Sequence, residues 1–337
     1  MKWIRFILFP FGLLYAMITE IRNWLFDKGL IKSYVAPVPV IAVGNLSVGG
    51  TGKSPQTEYL IRLLSEKYRV AVLSRGYKRK SKGFVLANEN TNMEEIGDEP
   101  FQFHTKFKHI HVAVDADRTN GMKQLLQTVN PEVILLDDAY QHRKVKATAY
   151  ILLTAYGDLY CDDYILPVGN LRESARGAKR AQIVIVTKCP ENISLEEKQI
   201  ISKKLKLKSH QQLFFTTIGY DEFVYNADQK IAVKDLSPTD IFALAGIANP
   251  ALFYAHLNAS QQITFPDHHH FSSKDLDKIM DKSQGKLILT TEKDYMRLSD
   301  KLPQNRLYYL PIQTRFLENK SSFDQTIFSI FKSGVNS

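Results

Sequence analysis

Residues 44–55 read GNLSVGGTGKSP and follow directly on an apolar run at 38–43, VPVIAV. A buried strand, a glycine-rich turn and Lys-Ser opening a helix is how a chain builds a phosphate cradle, and it demands that order of elements. Gly49, Gly50 and Gly52 leave room for backbone N–H groups to converge on an anion, because side chains there would block its approach. Lys53 can reach the β- and γ-phosphates, and the Ser54 hydroxyl is placed to ligate Mg²⁺. A helix over 57–64 points its positive end at the same spot. The strict G-x-x-x-x-G-K-[ST] pattern is not met, since Ser47 stands at its first glycine. The strand–loop–helix context is intact all the same.

The series of apolar runs extends this start into a fold. Short segments at 70–73, 109–114, 132–136, 150–153 and 183–187 each end in polar residues and are separated by helical stretches. That pattern predicts an α/β protein with a mainly parallel sheet flanked by helices, whose ligands bind at the carboxyl ends of the strands. Composition turns Lys- and Gln-rich around 202–235, and a smaller α/β unit with strands at 241–244 and 286–290 follows. The expected division is an amino-terminal helix over 1–27, a nucleotide-binding domain over 28–220 and a smaller domain over 221–337.

The amino-terminal stretch FILFPFGLLYAMIT (6–19) is flanked by Lys2, Arg5 and Arg22. Fourteen helical residues reach about 21 Å, short of a hydrocarbon core of roughly 30 Å. No A-x-A site follows, which argues against a signal peptide. Trp3, Trp24 and Phe26 with the basic flanks suit a helix lying in the headgroup region. A monotopic anchor on the cytoplasmic face is the reading, with a core helix as its rival.

Lys and Arg total 44 against 35 Asp and Glu, a formal net charge of +9, which favours an anionic partner. No reading motif or aromatic-interleaved basic stripe supports nucleic acid. Cys161 and Cys189, the two cysteines, have no zinc or disulfide spacing.

A phosphate loop needs a carboxylate at a strand end, and Ile134-Leu135-Leu136-Asp137-Asp138 supplies one. Either Asp could join Ser54 on Mg²⁺. Gly97-Asp98-Glu99-Pro100 places two carboxylates on a turn before a helix; they can cap it, or Asp98 can orient and deprotonate an acceptor hydroxyl. Arg75, Arg79, Arg118, Arg172, Arg176 and Lys188 fall in loops, where they can hold phosphate or face solvent. In Phe265-Pro-Asp-His-His-His-Phe271, a His polarising a carboxylate base is more economical than a metal site.

Together and in this order, GNLSVGGTGKSP, SRGY (74–77), GDEP (97–100), DADR (115–118), DDAYQH (137–142), LPVGNLRE (166–173), GIANP (246–250), FPDHHHF and TTEKDYMRL (290–298) resemble the tetraacyldisaccharide 4′-kinase family of Gram-negative bacteria. The resemblance spans nearly the whole chain. It implies a P-loop kinase of lipid A biosynthesis that transfers the γ-phosphate of ATP to the 4′-hydroxyl of a tetraacylated glucosamine disaccharide 1-phosphate at the inner-membrane surface. It implies Asp98 as base, assisted by His268 or His269, with Arg172 also catalytic. ATP is then held by Ser47, Val48, Gly49, Gly50, Thr51, Gly52, Lys53 and Ser54. Mg²⁺ falls to Ser54, Asp137, Asp138 and Glu173, and acceptor contacts to Arg75, Tyr77 and Arg118. The smaller domain would close over the nucleotide, and the chain would work as a monomer. Ala139 stands where the family pattern has glycine, which argues against a positive φ at that position. The competing readings are a membrane-associated switch ATPase, which needs no acceptor base, and a non-enzymatic nucleotide-binding adaptor.

Overall fold

The computed structural model of the chain describes residues 5–247, 249–267 and 269–333. Helix α1 (Phe9–Asp27) comes first, with Pro10 in its opening turn, where a missing N–H leaves no bond unmade. Strand β1 (Val40–Asn45) is buried along its whole length and runs through the phosphate loop into α2 (Lys53–Ser65). This helix starts four residues before the expected 57, because Pro55 sits in its first turn and is tolerated there.

Next come β2 (Val70–Ser74), β3 (Val85–Leu86), α3 (Asp98–Lys106), β4 (His111–Val114), α4 (Arg118–Thr128), β5 (Val133–Leu136), β6 (Ala149–Ala155), β7 (Ile183–Thr187), α5 (Leu195–Leu205) and β8 (Gln212–Tyr220). The chain continues through β9 (Phe223–Tyr225), β10 (Lys230–Ala232), β11 (Ile241–Ala245), β12 (Gln261–Thr264), α6 (Ser273–Ser283), β13 (Leu287–Thr291), β14 (Leu307–Leu310), β15 (Ile312–Phe316) and α7 (Lys320–Ser333).

Among the described residues one sheet has nine strands in the order β15-β8-β7-β6-β1-β5-β2-β4-β3. From β8 to β4 the recorded pairings are parallel, and β3 closes the edge antiparallel to β4. Side chains alternate across it. Ile41, Val43, Ile151 and Leu153 meet Leu60, Ile61 and Leu64 of α2, while Val40 and Ala42 meet Met122 and Leu125 of α4. Both faces are therefore covered, as a parallel sheet requires. The pairing of Ala42 with Leu136 brings the carboxyl ends of β1 and β5 side by side. The phosphate loop and Asp137-Asp138 leave the sheet at neighbouring points for that reason.

The chain divides into two compact units, one of Met1–Ile218 with Thr314–Ser337 and the other of Gly219–Gln313. The expected domain over 221–337 is thus shortened at its end. β15 joins the large sheet, and Phe323, Ile327 and Phe331 of α7 enter the core around α2. The smaller unit has its own sheet, β10-β9-β14-β13-β11-β12, whose last four strands are parallel. Its core gathers Phe242, Leu244, Ile279, Ile288 and Leu307.

Candidate active site

Gly49 and Gly52 have φ of +119° and +82°, so the loop turns through conformations that other residues enter only at a cost. Gly52 caps α2, leaving the first N–H groups of that helix directed at the loop. Two braces fix the loop from outside. Thr187 Oγ1, at the end of β7, donates to the Thr51 carbonyl at 2.8 Å, and Val48 N–H donates to the Asn170 carbonyl at 2.8 Å.

Behind the loop lies a carboxylate group that burial makes costly. Asp137, 3% exposed, accepts from Thr57 Oγ1 at 3.2 Å and from Ser74 Oγ at 3.1 Å. Burial first, then the charges of Glu99 and Asp138, push its carboxyl up to about 7 against the pull of Lys53 and Ser74. Ser54 Oγ donates to Glu99 Oε1 at 2.7 Å. Asp138 carries a φ of +45°, so the bend falls on this residue and Ala139 needs no positive φ. Its carboxylate lies 3.8 Å from Lys53 Nζ and takes a forked bond from Arg172 at 3.0 and 3.1 Å.

This donor set is of the hard-oxygen kind that Mg²⁺ takes, one hydroxyl and three carboxylates of which Glu99 and Asp138 each act on the charge of Asp137, but among the described residues no three acidic groups are gathered as a metal site. Glu99 belongs to it although only its neighbour Asp98 suggested itself from sequence. The signal was the second acid of GDEP, which capping alone seemed to explain. Glu173, by contrast, drops out. It is fully buried, and its oxygens are taken by Arg180 at 2.7 and 3.0 Å and by Asn23 Nδ2 at 2.6 Å.

Asp98 begins α3 and is exposed. The turn before it touches the loop that carries Arg75 and Tyr77, since a Cβ on Gly97 would lie 2.9 Å from the Tyr77 carbonyl oxygen. Arg75 and Tyr77 are both exposed. Arg118, expected to meet acceptor, is only 2% exposed and donates to the Asp115 carbonyl at 2.6 Å. Burial lowers its pKa to about 10 while Asp137 and Asp138 oppose the shift, so it supports the carboxylates from within. Arg79 is likewise spent on the carbonyls of Val114 and Gly83.

His268 lies outside the described residues. His269, its alternative, stacks on Phe265 and bonds Asp275 at 3.1 Å. Asp275 sits near 2, held down chiefly by Ser272 and then by His269. His269 is therefore engaged in the start of α6.

A parallel sheet with a phosphate loop on β1, paired carboxylates on the adjacent β5 and two cations between them defines a nucleotide-binding protein of the P-loop kinase type. The sequence carries it further. The chain belongs to the tetraacyldisaccharide-1-P 4′-kinase family, which it matches over residues 4–332. It is 59% identical to the tetraacyldisaccharide 4′-kinase of Flavobacterium johnsoniae, covering 99% of each chain. With the tetraacyldisaccharide 4′-kinase of Bacteroides thetaiotaomicron it shares 46% identity over 97% of this chain and 92% of the other. Among solved structures it resembles LpxK from Aquifex aeolicus in complex with ATP. The TM-score is 0.80 at 31% identity, covering 97% of this chain and 99% of that one.

Proposed function

We propose that this chain transfers the γ-phosphate of ATP to the 4′-hydroxyl of a tetraacylated glucosamine disaccharide 1-phosphate. The observation that carries the reading is the phosphate loop whose Ser54 is bonded to Glu99 beside Asp137 and Asp138, in a chain of this family. A sugar hydroxyl is a weak nucleophile, so its oxygen needs a base as it attacks the γ-phosphorus. Asp98 takes that proton, the new O–P bond forms, and the bond from γ-phosphorus to the β-phosphate oxygen breaks to leave ADP. Lys53 and Arg172, both held on Asp138, can exchange that carboxylate for phosphate oxygens and spread the charge of the group in flight. Ser54 with one of Asp137 and Asp138 would hold Mg²⁺, which neutralises phosphate charge when bound. Arg75 and Tyr77, exposed beside the Asp98 turn, meet the acceptor.

Acylated substrate implies a lipid surface, and α1 is suited to one. Phe11, Leu14, Ile18, Ile21 and Trp24 are each more than half exposed on one stripe of the helix. No described helix is long and apolar enough to cross a membrane.

The test is transfer of label from γ-labelled ATP to a detergent-dispersed tetraacyl disaccharide 1-phosphate. Asp98→Ala is expected to lower turnover by about 10²–10⁴-fold while ATP affinity stays within twofold. Label released only as free phosphate, equally by both proteins, would make the chain a switch ATPase instead.

A further inference from the structure

The face of α1 opposite its apolar stripe is built into the segment that carries Arg172. Gly12 lets the helix approach closely, since a Cβ there would stand 2.9 Å from Val168. One turn on, the Tyr15 hydroxyl donates to the carbonyl of Arg172 itself at 2.9 Å. Two turns further, Asn23 Nδ2 donates to Glu173 at 2.6 Å, and Arg180 closes the other side of that buried carboxylate. Asp27, at the end of the helix, pairs with Arg143 at 2.8 Å and with Lys179 at 3.1 Å.

The same segment is stitched to the phosphate loop. Arg172 N–H donates to the Leu46 carbonyl at 2.7 Å, Val48 N–H to Asn170, and Ser47 forms a bridge with Leu171. Both backbone polar groups of Arg172 are thereby committed, one to the loop and one to α1. Its side chain then has a fixed origin from which to fork onto Asp138.

We propose that Tyr15 and Asn23 of α1 are positioning residues for phosphate transfer, acting through the 172–173 peptide on the Arg172 guanidinium. The helix is then a wall of the phosphate site as well as a surface element. The inference rests on the reading of Arg172 as a phosphate-binding cation. Clamping the backbone on both sides of one residue suits a side chain whose guanidinium must be placed to a fraction of an ångström before phosphate moves.

A double-mutant cycle on the full chain tests it, with wild type, Tyr15→Phe, Arg172→Ala and the double variant. Tyr15 is 37% exposed, so loss of its hydroxyl leaves no hole in the core. Tyr15→Phe is expected to lower kcat about fivefold to tenfold, with the KM for acceptor and sedimentation with phosphatidylglycerol vesicles unchanged. In the Arg172→Ala background the same change should cost nothing more. Asn23→Leu should behave as Tyr15→Phe does, and Asn23→Gln should recover part of the loss. Multiplying losses in the double variant, or a fall in kcat that tracks loss of vesicle sedimentation, would overturn the coupling. Full activity of Arg172→Ala would overturn the reading of the site first, and the two failures are told apart by that single variant.

Discussion

His142 shows how one side chain can tie the fold to pH. It lies in the loop after Asp137-Asp138, with a ring nitrogen that is buried and makes no hydrogen bond. Burial, and next the charge of Arg118, lower its pKa to about 4. In the unfolded chain it titrates near 6.5. Between these values the unfolded state binds the extra proton, so stability is whole above about 6.5 and is lost as pH falls towards 4. Moving from pH 7 to pH 5 is expected to cost about 1–2 kcal/mol through this residue, allowing for its partial exposure. His142→Asn should flatten that part of the stability curve in urea titrations at stepped pH. At the same scale, the phosphate loop, Lys53, Ser54 and the Asp137-Asp138 pair were legible because strand, turn and helix follow one another in sequence. The parts played by Glu99, Glu173 and Arg118 were not. Each depends on a partner 45 to 150 residues away, or on enclosure by strands that meet only in the fold.

At the scale of elements, most strands were read within a residue or two, because a buried parallel strand is a continuous apolar run bounded by polar residues. β8 escaped because Lys- and Gln-rich flanks masked its apolar centre, LFF at 213–215. β15, IQTRF, carries too few apolar residues to announce itself, as an edge strand needs fewer. Gly44 is an element-scale fact as well. A Cβ there would lie 2.7 Å from Tyr140 Cβ and 2.9 Å from its backbone nitrogen, so the strand admits the turn after β5 only where a side chain is missing. For α1, the exposed stripe predicts surface binding through apolar area. Replacing Phe11, Leu14 and Ile18 together by Ser should reduce sedimentation with phosphatidylglycerol vesicles at least tenfold. Transfer to an acceptor dispersed as single molecules in detergent should change by less than threefold.

On the scale of the whole molecule, what the sequence hid was a return. Residues 314–333 run back to the first unit, and sequence order gives no sign of it, because an amphipathic helix packs equally well on whichever core it reaches. Phe323 is fully buried there, within 4.6 Å of the ring of Phe316, 5.3 Å of Phe214 and 5.7 Å of Tyr59 in α2. Phe323→Ala should therefore destabilise the nucleotide-binding unit by about 3–5 kcal/mol, read as a fall in the urea midpoint that bound ATP partly restores.

That return also sets an order on biosynthesis. A ribosome delivers α1, β1 and the phosphate loop long before α7, so the core beneath α2 lacks Phe323, Ile327 and Phe331 until α7 has emerged. Gly219–Gln313 is a compact unit whose chain is complete just before those residues are made. Until then the nascent protein carries the exposed apolar stripe of α1 beside an unfinished core under α2. Its nucleotide pocket gains its full support only once Phe323, Ile327 and Phe331 have been added to that core.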